Sequence, residues 1–435
     1  MLRKRIKRKR FNPRNPSGVH VGTALLFSTL FFTGQAEETA PAPVPSPPTA
    51  PPPASYGTGT SQLSPFGSAF SESPLALSSL FRWGPVHLRP RVTYRYSISD
   101  GLQAEAGQES KTEIHEIIPV FHFQLGDLWS LTYTPAFRFY SDSAFEDSLD
   151  HSLLLAGATV YESWSLGFSQ GYSFSSTPLV ETGAQTKQET FSTSLSASYQ
   201  LNSKVSFDLG LNQNLRFIKE SGAASSTGTV GDSREWSTTD WVNYQLFPKL
   251  RVGAGVGFGY SDNESATTYE QINGRIDWKV AQKLNLGLTA GFEQRQFLDS
   301  DQPDLFNPIF SASIAYQIFE PTSLSLTASR SVNTSYYENL VTENTSVNVG
   351  LSQRLFGRFN LGLSAGIGSS DYKGAASGVN PTRQDDTSHY SASLSTSFWK
   401  RATASVFYSV SENSSGQSDV DYSSKQIGGE VSYQF

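Results

Sequence analysis

The 435-residue chain has no cysteine, and Met1 is its only methionine. Without cysteine there is no disulfide framework, no thiolate-held zinc or iron–sulfur site and no thiol nucleophile. Charge is sparse at 17%, and mean hydropathy is −0.34. A helical transporter, which needs repeated apolar runs of roughly 20 residues, is therefore excluded. Aromatic residues, by contrast, reach 13%, too many for a disordered chain. A polar yet aromatic composition rich in Gly, Ser and Thr points to an all-β protein with two unlike surfaces.

The N-terminus reads as an address. Arg3, Lys4, Arg5, Lys7, Arg8, Lys9, Arg10 and Arg14 precede an apolar stretch over residues 19–32, and Gly34-Gln35-Ala36 supplies small residues for cleavage. This is the layout of a secretory signal peptide over residues 1–36; an uncleaved anchor is the alternative. Its removal leaves 25 basic against 39 acidic residues, so the formal charge moves from −6 to −14. A basic nucleic-acid arm is not expected, and nucleic acid is not an expected partner. Residues 37–56, with Pro41, Pro43, Pro45, Pro47, Pro48, Pro51, Pro52 and Pro53, read as a disordered Pro/Ala-rich tether. Residues 57–84 are Ser-rich with an apolar patch (Leu75, Leu77, Leu80, Phe81) and are a candidate plug.

Residues 85–435 repeat one pattern, apolar and polar positions alternating with the two-residue period of a strand. Val205, Phe207, Leu209, Leu211, Leu215 and Phe217 share one face of a segment, opposite Lys204, Asp208, Asn212, Asn214 and Arg216. About 18 such strands are expected. Connections alternate between tight turns (Gly126-Asp127, Glu162-Ser163, Phe356-Gly357, Lys400-Arg401 among them) and longer loops near residues 98–111, 175–187, 218–233, 334–341 and 371–386. Trp83, Trp129, Trp164, Trp278 and Trp399 flank the tight turns, while Phe139, Tyr140, Phe217, Trp236, Tyr260, Phe292 and Tyr390 lie near the loops. Strict alternation and two aromatic belts predict an antiparallel up-and-down transmembrane β-barrel, with both termini on the tight-turn, periplasmic side.

The chain ends Glu430-Val431-Ser432-Tyr433-Gln434-Phe435, and Val431, Tyr433 and Phe435 form a candidate outer-membrane assembly signal. Glu430 stands where that signal usually has glycine. The opening Phe81-Arg82-Trp83-Gly84-Pro85-Val86-His87-Leu88-Arg89-Pro90, the run to Tyr94-Arg95-Tyr96 and the Tyr-x-Phe end are similar to outer-membrane β-barrel proteins of the porin-2-like kind. The resemblance spans about residues 80–435. It implies a Gram-negative-type outer membrane and no known enzymatic activity, and it transfers no site residue.

If apolar positions face lipid, His87, Arg89, Arg91 and Arg95 line the lumen, and so do Arg138, Arg216, Arg275, Arg295, Arg354 and Arg358. Such arginines either lower the barrier for anions or pair with interior carboxylates and brace the wall. The file Gly253, Gly255, Gly257, Gly259 sits inside an alternating strand, not in a strand–GxGxxG–helix arrangement. It is expected to clear space for an inward-folded loop or for residues 57–84. His115-Glu116 reads as a strand pair and not a metal site, and no serine triad stands out. No cofactor and no catalysis are expected.

The expected function is a porin-like channel for small polar or anionic solutes. The alternative is a non-conducting surface or export-associated barrel that binds a partner through its loops or tether. Expected partners are membrane lipid and lipopolysaccharide, the barrel-assembly machinery, periplasmic chaperones and, as an open option, further copies of the chain.

Overall fold

In the computed structural model the described residues are 81–435, apart from 106, 180, 222–228, 264, 299–301, 375–382 and 418–419. The expected signal peptide, the tether and nearly all of the candidate plug lie outside them. A two-residue strand, β1 (Arg82–Trp83), folds back on β2 (Val86–Glu105). The wall then continues through β3 (Gln108–Leu125), β4 (Trp129–Tyr140), β5 (Ser148–Tyr161), β6 (Trp164–Leu179), β7 (Ala184–Gln200), β8 (Val205–Ser221) and β9 (Ser233–Phe247). It goes on through β10 (Leu250–Asn263), β11 (Ser265–Ala281), β12 (Leu284–Phe297), β13 (Leu305–Phe319), β14 (Thr322–Thr334) and β15 (Leu340–Leu355). The last four strands are β16 (Phe359–Gly374), β17 (Gln384–Trp399), β18 (Ala402–Ser415) and β19 (Tyr422–Gln434).

Each strand from β2 to β19 pairs antiparallel with its sequence neighbours, and β19 pairs with β2 from Lys425↔Asp100 to Gln434↔Arg91. Eighteen strands thus close into a barrel. Closure leaves no unpaired edge, which a sheet bathed in lipid could not tolerate.

The period-two pattern decides which side chain goes where. Leu209, Leu211, Val256, Phe258, Leu288 and Val431 point outward and are exposed, a large apolar surface suited to contact with lipid. The tight turns fall at the expected places; Phe356 and Gly357 have φ of 50° and 75°, the left-handed pair that a two-residue hairpin turn requires. The loops are shorter than the sequence suggested. β2 and β3 run through most of residues 98–111, and β6 and β7 through most of 175–187. Strands of 12 to 20 residues exceed the roughly 9–11 needed to cross a bilayer, so the excess stands above the membrane as paired β-structure.

The aromatic belts are present, with Tyr140 as the exception. Trp129, Trp164, Trp278 and Trp399 ring the tight-turn end, and Phe139, Trp236, Tyr260, Phe292 and Tyr390 the loop end, all exposed on the outer face. Tyr140 belongs elsewhere. It stacks on Phe145, 5.0 Å between centroids, in a small core with Leu102, Ala104 and Ile114. Trp241 faces the lumen and is buried.

Candidate functional site: the lumen and its loop-end mouth

Ionic side chains run across the seam where the barrel closes. Glu430 on β19 lies opposite Arg95 on β2, Arg95 opposite Glu116 on β3, and Glu116 opposite Arg138 on β4. Arg95 donates to Glu430 at 2.9 Å and to Glu116 at 3.3 Å. Arg138 donates to Glu116 at 2.7 Å and to Asp150 on β5 at 2.8 Å. Five charges of alternating sign therefore span five adjacent strands on the inner face. Of the two outcomes expected for the inward arginines, these two show pairing. In the C-terminal strand the Glu430 side chain turns inward to Arg95, while Val431 and Phe435 stay exposed and Tyr433 packs edge-on against Phe435.

A second cluster lines β8 to β12. Arg275 is hydrogen-bonded to Asp208, donates to Asn243 at 2.7 Å and lies 4.6 Å over the Trp241 ring. Arg295 pairs with Glu293 at 2.9 Å and lies 4.6 Å over Tyr269, whose hydroxyl donates to Glu235 at 2.9 Å. Side chains of the neighbouring strands explain the glycine file. A Cβ on Gly255 would sit 2.6 Å from Trp241, one on Gly253 2.6 Å from Asn243, one on Gly257 3.0 Å from Gln271, and one on Gly259 inside the Tyr269 ring. The cleared space is filled by side chains of β9 and β11 lying flat on the wall, where a loop or the 57–84 segment was expected.

A loop does fold inward, but at the mouth. Residues 335–339, between β14 and β15, reach the connections on the far side of the barrel. Glu181, between β6 and β7, accepts from the Ser335 hydroxyl and from the Tyr336 N–H at 2.9 Å. Arg216 donates to the Ser335 carbonyl at 2.6 Å and stacks 3.8 Å from the Tyr336 ring. Asn263 donates to the carbonyls of Ser335 and Tyr337 at 3.1 and 2.8 Å. Arg383, before β17, donates to the Glu181 carbonyl at 2.9 Å and binds Asp385 at 2.6 Å. Glu181, Ser335, Tyr337 and Arg383 are all buried. Burial drives the Glu181 carboxyl above its ordinary range, against the pull of the Ser335 hydroxyl and of Arg383 and Arg216. Sequence reasoning found Arg216 by parity and missed Glu181, Ser335 and Arg383, which sit in polar connections with no periodic signal.

The other expected arginines lie toward the tight-turn end. Arg89 is exposed opposite His122, and Arg91 lies opposite Gln434. Arg354 and Arg358 flank the turn between β15 and β16 and are exposed; Arg401, which the sequence reading passed over, occupies the turn before β18. Among the described residues, Arg91, Arg354, Arg358 and Arg401 have no carboxylate at ion-pair distance. Six consecutive strands, β15 to β19 and β2, thus carry a cationic arc. His115 and Glu116 point to opposite sides of the wall: the Tyr94 hydroxyl meets His115 at 2.8 Å outside, while Glu116 joins the seam inside.

With this geometry in place, one sequence family answers. Residues 259–435 match the family model described as Putative beta-barrel porin 2. The porin-2 match covers the end of β10 and all of β11 to β19, and it agrees with the resemblance read from the sequence. None of the curated proteins compared with the chain matches it. Among solved structures, Pseudomonas aeruginosa OccK2 (OpdF) in complex with glucuronate is 13% identical, with TM-score 0.44 over 80% of this chain and 98% of that one. Acinetobacter baumannii OccAB4 is 11% identical, with TM-score 0.43 over 80% and 98%. The FrpB iron transporter of Neisseria meningitidis is 9% identical, with TM-score 0.42 over 75% of this chain and 62% of that one.

Proposed function

We propose that the chain is a porin-like outer-membrane channel for passive diffusion of small polar solutes, with a preference for anions. The observation that carries this reading is the two-faced closed wall, apolar and belted by aromatics outside, ionic and hydrogen-bonded inside. Eighteen strands are enough to enclose water, whereas about eight are filled by their own side chains. The inward Leu154 and Val160 are 47% and 60% exposed, which leaves solvent space inside. In this reading residues 1–36 direct export, residues 37–56 tether, both termini are periplasmic, and Val431, Tyr433 and Phe435 engage the assembly machinery. Anion preference rests on the cationic arc, because the seam arginines are already neutralised by their carboxylates.

The bridged mouth favours a second reading, a barrel closed at rest that serves a partner. Planar-bilayer recording of the purified protein separates the two. Discrete conductance steps support the channel, and an absence of steps at every salt concentration and pH removes it.

A further inference from the structure

Between the aromatic belts the outer wall is apolar on most strands, but β6 to β9 depart from this. Gln170, Thr193, Gln213, Thr238 and Asp240 share the outward parity of Phe168, Leu195, Leu211 and Val242 on those strands. Asp240 lies midway between Trp236 and Tyr244 on its own strand, hence near mid-height of the wall. The Thr193 hydroxyl lies 2.8 Å from Gln170 and 3.1 Å from Gln213, and Thr238 donates to Asp240 at 3.2 Å. Arg330, another outward charge, is answered by Glu343 at 2.8 Å; Asp240, like the outward Glu270 on β11, has no cation within ion-pair distance among the described residues. Beside the polar row the wall is concave, a groove of about 540 Å³ lined by Leu166, Phe168, Leu195, Leu209 and Leu211, with Asp240 at its edge.

Acyl chains offer no hydrogen bonds at this depth, and lipid phosphates and amines lie at the interfaces, so lipid does not satisfy this row. The row carries its own complement: the Gln170 amide already donates to the Gly171 carbonyl at 3.2 Å, but the Gln213 amide can donate and the Asp240 carboxylate can accept. A symmetry axis normal to the membrane and passing by the row would bring donors of one copy to the acceptor of the next, and leucine edges into the groove. We propose that the outer face of β6 to β9 is the contact between copies of this chain in a closed homo-oligomer. This rests on the membrane-barrel reading and goes beyond it by naming the surface.

The absence of cysteine makes the test direct, because one introduced thiol is unique. Leu211→Cys, on the row, and Ile314→Cys, on β13, are placed in the full-length protein and treated in isolated outer membranes with a short bis-maleimide. The proposal expects cross-linked copies from Leu211→Cys and none from Ile314→Cys. It also expects Asp240→Leu to cut the Leu211→Cys cross-link by roughly tenfold, the loss of one charged hydrogen bond. Failure of Leu211→Cys to cross-link, equal cross-linking at both sites, cross-linking to a different protein, or indifference to Asp240→Leu would each overturn it. Heat-dependent gel migration of every variant reports barrel formation separately. A folded, membrane-inserted but monomeric barrel thus defeats the contact surface alone, and a protein that forms no membrane barrel defeats the parent reading.

Discussion

Glu181 and Ser335 are hydrogen-bonded across the mouth of the barrel, although 154 residues separate them. The contact joins the β6–β7 connection to the β14–β15 loop, nearly half the circumference away. It is buried among Arg216, Arg383, Tyr336, Tyr337, Tyr372 and Asp385.

The pH response of the mouth follows from that burial. The closed mouth holds the Glu181 carboxyl above its ordinary value, so it binds a proton more tightly than an open mouth in which Glu181 meets water. Closure is therefore fully favoured below the ordinary glutamate value and lost as pH rises through the raised one. Open probability in planar bilayers should climb with pH above about 4.3, the unperturbed glutamate value. Glu181→Gln, which keeps an acceptor for Ser335 and Tyr336 but cannot ionise, should hold the mouth closed and flatten the profile. A pH response unchanged in Glu181→Gln contradicts the assignment.

The seam arginines should matter for stability and not for permeation. Arg138→Met strands Glu116 and Asp150 with one partner fewer, and breaking a buried pair from one side costs about 3–5 kcal/mol. Urea unfolding of the refolded barrel should shift by that order. The triple variant Arg138→Met, Glu116→Gln, Asp150→Asn should recover much of the loss, because no charge is then left unanswered.

The barrel was legible in the sequence because parity is a one-residue rule: Leu209 out and Asp208 in need no partner to be known. The inward arginines were legible for the same reason. Their partners were not, because Glu116 meets Arg95 only through the β2–β3 register, and Glu430 meets it only once the ring is closed. The mouth left no trace at all. Ser335 and Glu181 sit outside the alternating segments, and their meeting depends on the curvature of the whole wall.

The glycine file should behave as a packing device. Gly255→Ala places a methyl 2.6 Å from the Trp241 ring, and overpacking of this kind costs roughly 1–3 kcal/mol. Adding Trp241→Ala should relieve the clash, so the double variant should be destabilised by less than the sum of the two single changes in the same urea titration. Additive losses would mean that glycine and ring are unrelated.

The cationic arc at the tight-turn end should set ion preference. Replacing Arg91, Arg354, Arg358 and Arg401 together with glutamine removes four charges without touching the seam ion pairs or the mouth. The reversal potential under a salt gradient should move toward cations. The shift should be largest near 0.01 M salt, where charges act over about 30 Å, and nearly vanish at 1 M, where they act over about 3 Å. Arg95→Gln, folded and conducting, should leave selectivity less changed per charge removed, because that guanidinium already faces Glu116 and Glu430. Equal shifts per charge at the seam and the arc would place the selecting field at mid-wall instead.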